Sequence, residues 1–174
     1  MSSSYTIPLS GLKDGHHVID FEIGKEFFEE FEESEVKEGS LIANIGMERR
    51  SSHLDMIIRI SGSVRVSCDR CLEMFSQPVS CENRLLVKFG KSIDDTDPDI
   101  LSVAADENEL DLQQHIYEFI MLALPIKRVH PANKSGKSTC NPDMLKKLEK
   151  LIILEEEKET DPRWDELKKL MNDN

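Results

Sequence analysis

Cysteine is scarce in this chain, with four in 174 residues. Cys68 and Cys71 form one CxxC pair, and Cys81 and Cys140 lie far along the sequence. Long apolar runs are missing too: nothing approaches the roughly 18 consecutive residues that suggest a membrane span. The opening "MSSSYTIPLS" lacks the positive region and apolar stretch of a secretory signal. These absences point to a cytoplasmic protein, where thiols stay reduced and a CxxC suits metal binding or catalysis better than a disulfide. Positive charge is in deficit as well, with 22 Lys and Arg against 34 Asp and Glu, a net charge of -12. Free, nonspecific binding to nucleic acid depends on neutralising phosphates and is therefore disfavoured. Any RNA contact would need a local basic patch or a partner protein.

What is present describes a folded domain. Hydrophobic residues make up 39% and charged residues 32%, enough for a core beneath a well-solvated surface. Val18 to Ile23 read as a strand. "KEFFEEFEES" then places Phe27, Phe28 and Phe31 on one helical stripe, with Gly39 as the exit and the glutamates on a solvated face.

The strongest pattern follows. Leu41, Ala43, Ile45 and Met47 hold odd positions, and Leu54, Met56, Ile58, Ile60, Val64 and Val66 hold even ones. Val79, Cys81, Leu85, Val87 and Phe89 are odd again. Period-two alternation of this length predicts a three-stranded antiparallel meander with one buried face. A turn at Arg50–His53 sets Ile45 opposite Ile58 and Ala43 opposite Ile60. Returning through the CxxC loop, Val66 would face Val79, and Ile58 would face Val87. Gly62 reads as a bulge or bend, or as the centre of a three-residue hairpin. Cys81 falls on the apolar face, where a free cysteine acts as a small hydrophobe.

Downstream, Asp94–Asp111 is an acidic connection with one short strand at Ile100–Val103. Asp111 and Gln114 make a capping-box pattern for a helix carrying Leu112, Ile116, Phe119, Ile120 and Ala123, which stops before Pro125. His115 lies off that stripe and reads as a surface residue. "IKRVHPANKSGKST" is a basic loop. Asn141-Pro142 and Asp161-Pro162 each open a short helix, the second carrying Trp164, Leu167 and Leu170. The expected architecture is α+β: residues 1–130 form a single domain with an antiparallel meander and one packed helix. Residues 131–174 then form a loop and C-terminal helical extension.

Two phosphate-loop look-alikes fail. The glycine required five residues before Gly136 is Pro131, and before Gly90 it is Leu85. The CxxC admits three readings. A thioredoxin-like pair should open a helix within a βαβ unit, whereas this one joins two strands. A zinc knuckle suits the short loop better, and coincidence stays open because a lone CxxC supplies only half of a tetrahedral site. Cys140, just before a helix cap, would have its thiolate favoured by the helix dipole. His130 is the nearby imidazole, so Cys68, Cys71, His130 and Cys140 make a candidate structural zinc set. Four protein ligands would leave no position for a catalytic water, and no Cys/His or Ser/His/Asp constellation stands out elsewhere. No catalytic residue is assigned, and the expected protein is not an enzyme.

The segments "SGSVRVSCDRCLEMF", "DENELDLQQHIYEFIMLALPIK" and "DPRWDELKKL" resemble the YceD family of large-ribosomal-RNA-subunit accumulation proteins, over about Val36 to the end. Many relatives follow their LP motif with a cysteine-rich segment that binds zinc. His130 stands where the first of those cysteines is expected, and Cys140 remains of the rest. The resemblance implies a role in accumulating large-subunit (23S-type) ribosomal RNA, through that RNA, a pre-ribosomal particle or a ribosomal protein. Arg59, Arg65, Arg84 and Lys88 would face outward from neighbouring strands as a candidate RNA-binding patch. They read equally as surface charges balanced by Glu48 and Glu82. The alternative is an acidic, zinc-stabilised adaptor that binds protein without touching RNA.

Overall fold

The computed structural model describes residues 5–90, 99–104 and 106–151. Its elements in chain order are β1 (Thr6–Pro8), β2 (Gly15–Ile23), α1 (Lys25–Glu29), β3 (Glu38–Arg49), β4 (His53–Ser67) and β5 (Met74–Phe89). They continue with β6 (Ile100–Val103), β7 (Glu109–Asp111), α2 (Gln113–Ala123) and α3 (Pro142–Leu151). The fold is α+β, as the sequence predicts. The helix expected to begin at Asp161 lies outside the described residues.

The meander is the centre of a larger sheet. Five strands run in the order β2-β3-β4-β5-β6, antiparallel except that β6 lies parallel to β5. The alternation buries one face: Leu41, Ala43, Ile45, Met47, Leu54, Met56, Ile58 and Ile60 are all inaccessible or nearly so. Covering that face, α1 packs on β3 and α2 on β5. Phe27 and Phe28 fill the space under α1, and Ile116 and Ile120 the space under α2. Phe31 stacks on Tyr117 with ring centroids 3.9 Å apart, which joins the two helical regions. Among the described residues, no helix is long and apolar enough to cross a membrane.

Pairing of β3 with β4 follows the predicted register, Ile45 with Ile58 and Ala43 with Ile60. Pairing of β4 with β5 differs. Val66 faces Phe75, Ile58 faces Asn83 and Leu54 faces Val87, a shift of four residues that keeps the alternating apolar set of both strands on the same face. The tight CxxC connection sets this register, because the strands resume pairing at Ser67 and Met74.

Three punctuation marks also read differently in the folded chain. Gly39 lies within β3, where a Cβ would come 2.8 Å from Cε2 of Phe28, so close packing and not a helix exit requires it. Gly62 does lie within one long strand, β4, but without a bulge or hairpin: Leu41, Gly62 and Val79 pair straight across three strands. The capping box does not form either. Asp111 ends β7 and accepts a hydrogen bond from the Gln113 N–H at 2.8 Å, while Gln114 turns to Glu118.

The acidic connection and the N-terminus meet in an element the sequence did not reveal. There β1 and β7 form a two-stranded antiparallel ribbon, Ile7 opposite Leu110, that buries both side chains in the core.

Candidate metal centre

Cys68 directly follows β4, and a six-residue connection returns the chain to β5. Two backbone hydrogen bonds close it: Leu72 N–H donates to the Cys68 carbonyl at 2.9 Å, and Cys68 N–H to the Glu73 carbonyl at 2.9 Å. Leu72 takes a left-handed conformation, φ 62°, at a cost on the order of 1 kcal/mol for a residue with a Cβ. The tight curl directs the backbone N–H groups of Arg70 and Cys71 at the Cys68 sulfur.

The other half comes from the segment after α2. Asp69 N–H donates to the Arg128 carbonyl at 2.8 Å, and Arg128 N–H donates to Asp69 Oδ2 at 2.6 Å. That two-bond clamp brings His130 to the knuckle. The imidazole packs on Phe75, with centroids 4.8 Å apart. Cys140 arrives just before α3, whose first turn is capped by the Asn141 side chain. Asn141 Nδ2 also donates to Glu73 Oε1 at 2.7 Å, fastening the helix start to the connection it faces.

The four candidate ligands therefore converge, with all ligand atoms within 4.8 Å of one another. Cys68 Sγ lies 3.7 Å from Cys140 Sγ. His130 Nδ1 is 3.4 Å from Cys71 Sγ and 3.7 Å from Cys140 Sγ. A tetrahedron with zinc–sulfur bonds of about 2.3 Å and a zinc–nitrogen bond of about 2.0 Å has edges of roughly 3.5–3.8 Å. The donor set fits a tetrahedral metal.

Its electrostatics fit one too. Burial alone would raise the Cys68 thiol, but N–H groups of Cys71, Arg70 and His130, with the His130 ring, outweigh it and lower the pKa to about 6. For Cys140 a Ser138 hydrogen bond favours the thiolate, yet burial and the neighbouring sulfurs of Cys68 and Cys71 push the pKa up. Anionic sulfurs crowded into a buried site oppose one another, and a bound cation removes that conflict. Cys81 stands apart, half-buried against α2 with its Sγ 3.8 Å from the Phe119 carbonyl and its pKa raised by burial.

Sequence reasoning found the four candidate ligands and missed what holds them. Nothing in the pattern marks Asp69, Glu73 or Asn141 as partners across the site, since an Asp inside a loop and an Asn at a cap have local explanations.

Arg59, Arg65 and Arg84 lie on the exposed face of the sheet and Lys88 near its end. Arg59 already pairs with Glu82 at 2.6 Å across the strands. Arg84 forms a two-toothed pair with Asp55, its Nε 2.8 Å from Oδ1. A phosphate would have to displace both carboxylates. The Arg84 hydrogen bonds hold the Asp55 carboxyl below its ordinary pKa. A depressed carboxyl stabilises the fold above its unfolded pKa and loses that contribution as pH falls through the folded value. Asp55→Asn should therefore lower the urea midpoint modestly at pH 7, since the pair is surface-screened. Titrated downward, the two proteins' midpoints should converge below pH ~4. A gap that persists into acid would show that Asp55 acts through something besides its charge.

A mostly antiparallel sheet with the segment after α2 drawn onto a Cys₃His cluster defines a small α+β protein with a metal-compatible knuckle. The chain belongs to the YceD family: the model for "Large ribosomal RNA subunit accumulation protein YceD" matches residues 56–171, a span that contains all four candidate ligands. No curated protein and no solved structure matches it.

Proposed function

We propose that this protein is a non-catalytic, cytoplasmic ribosome-assembly factor that supports accumulation of large-subunit ribosomal RNA, with a structural zinc at Cys68, Cys71, His130 and Cys140. The family supplies the RNA whose accumulation is served. The observation that supports the structural role is the convergence of four candidate donors within 4.8 Å of one another; if all four bind the ion, a tetrahedral zinc has no position left for substrate or water. In this reading residues 1–130 are the α+β domain, and residues 131–174 are an extension fastened to it through the metal.

The partner is the large-subunit RNA itself or a particle containing it. The adaptor reading, in which the contact runs through a ribosomal protein, draws support from the net charge of -12 and from the carboxylates that occupy Arg59 and Arg84. Sedimentation of cell extract tests the assembly role. The protein should migrate with large-subunit precursors and be absent from mature particles, and its depletion should reduce large-subunit RNA relative to small-subunit RNA. Migration only at the top of the gradient, with unchanged RNA ratios on depletion, would reject the proposal.

A further inference from the structure

Charge is unevenly distributed along this acidic chain. Residues 126–151, the segment that passes through His130 and Cys140 and ends in α3, carry seven Lys and Arg against two acidic side chains, a net of +5. The rest of the chain then carries -17 of the -12 total. Three thiolates on a divalent ion would subtract only one charge, so the segment stays basic with its site filled.

Its lysines are presented, not spent. Lys127, Lys134, Lys137, Lys146, Lys147 and Lys150 are all exposed. Among the described residues none of the six is in an ion pair, whereas Arg128 is held by Glu35 at 2.7 Å, and of the sheet arginines Arg59 is held by Glu82 and Arg84 by Asp55. The loop carrying Lys134 and Lys137 is an ordered turn. Asn133 Oδ1 accepts from Ser135 N–H at 3.0 Å and Lys137 N–H at 2.9 Å, and Gly136 takes the left-handed φ of 76° that the turn needs. On α3, Lys146, Lys147 and Lys150 are spaced i, i+1 and i+4 and share one helix face. Met144 and Leu145 lie on another face, turned toward the core.

We infer that this zinc-held segment, and not the outer face of the sheet, is the surface that meets the phosphate backbone of large-subunit RNA. The inference rests on the assembly role proposed above and adds the surface and the chemistry to it. Unpaired ammonium groups on an ordered scaffold bind phosphates without first breaking an ion pair, and their contribution is independent of base sequence. A second consequence follows from the anchoring: the knuckle fixes where the lysines stand relative to the domain, so metal loss should weaken the contact without removing a single lysine.

The test uses the full chain and purified, protein-free large-subunit ribosomal RNA, with a parallel gradient of cell extract. If six phosphates are contacted, wild-type affinity should fall about 10³-fold between 50 and 200 mM salt. A variant with Lys127, Lys134, Lys137, Lys146, Lys147 and Lys150 all replaced by Gln should bind far more weakly and lose most of that salt dependence. The same six replaced by Arg should bind like wild type, and Arg59, Arg65, Arg84 and Lys88 all replaced by Gln should leave binding unchanged. Zinc content and thermal midpoint, read on every variant, show that each is folded. Wild-type affinity in the six-Gln variant, or loss confined to the sheet variant, would overturn the inference. If wild type ignores naked RNA yet migrates with precursors, this inference fails, the assembly role stands and the contact is with protein. If it does neither, both fail.

Discussion

With zinc at the site as proposed, chelation should release residues 126–151 from the sheet while leaving the sheet folded. Purified protein should hold about one zinc per chain, and Cys68→Ser should hold almost none, because that sulfur lies within 3.7 Å of Cys140 at the centre of the cluster. Structural zinc contributes folding free energy directly, on the order of 10 kcal/mol in small zinc peptides. Here the sheet has its own core, so the loss should appear locally. Amide protection in 126–151 should collapse on chelation, and helical signal from α3 should drop. The β3–β4–β5 amides should exchange as slowly as before. Cys81→Ser is the control, since Cys81 is packed against α2 and is not among the clustered donors. Stoichiometric zinc in a His130→Ala/Cys140→Ala variant would refute this ligand set.

Replacing Gly62 by alanine should be among the most damaging single substitutions in the chain. A Cβ there would lie 2.3 Å from the Ser40 carbonyl oxygen and 2.6 Å from the Leu41 Cα. Both are backbone atoms of a central strand and cannot swing aside as a side chain would. Gly62 also has φ 147°, which L-residues rarely adopt. Conformational strain alone costs about 1–3 kcal/mol, and displacing a paired strand adds to it. We expect more than about 3 kcal/mol from urea unfolding of Gly62→Ala. Gly136→Ala provides the comparison: its φ of 76° is left-handed but its Cβ would meet nothing within 4 Å, so it should cost only about 1 kcal/mol. Equal effects at both positions would show that the close approach to Ser40 is not what Gly62 serves.

The sheet was legible because period-two burial is a local property. Every residue from Leu41 to Val66 that alternation placed inside is inside. Register was legible only where a turn pinned it. Arg50 N–H bonds the His53 carbonyl at 2.9 Å, and that hairpin fixes β3 on β4. The CxxC connection admitted several in-phase pairings, and the one adopted depends on how tightly the knuckle curls. Gly39 and Gly62 misled for a related reason. Each answers to an atom distant in sequence, Phe28 in one case and Ser40 in the other, and periodicity carries no such information.

The candidate site was legible in its chemistry and silent in its supports. Cysteine and histidine are rare enough here that convergence of Cys68, Cys71, His130 and Cys140 could be argued from residue type alone. The Asp69–Arg128 clamp and the Asn141–Glu73 bond use common residues whose partners lie 59 and 68 positions away. The β1–β7 ribbon was invisible for the same reason: three-residue strands have no period to detect.

That ribbon bears on the order in which the molecule assembles itself. Thr6 pairs with Asp111, so closing β1 onto β7 ties off a loop of roughly a hundred residues, whereas β3, β4 and β5 join through short neighbouring turns. Loop-closure entropy rises with the length enclosed, and contacts between distant segments form after local ones have shortened the effective path. Chains also emerge from synthesis N-terminus first. Strand β1 must therefore wait for its partner until roughly a hundred further residues have followed it. Its apolar Ile7 takes its place opposite Leu110 in the core at that late stage.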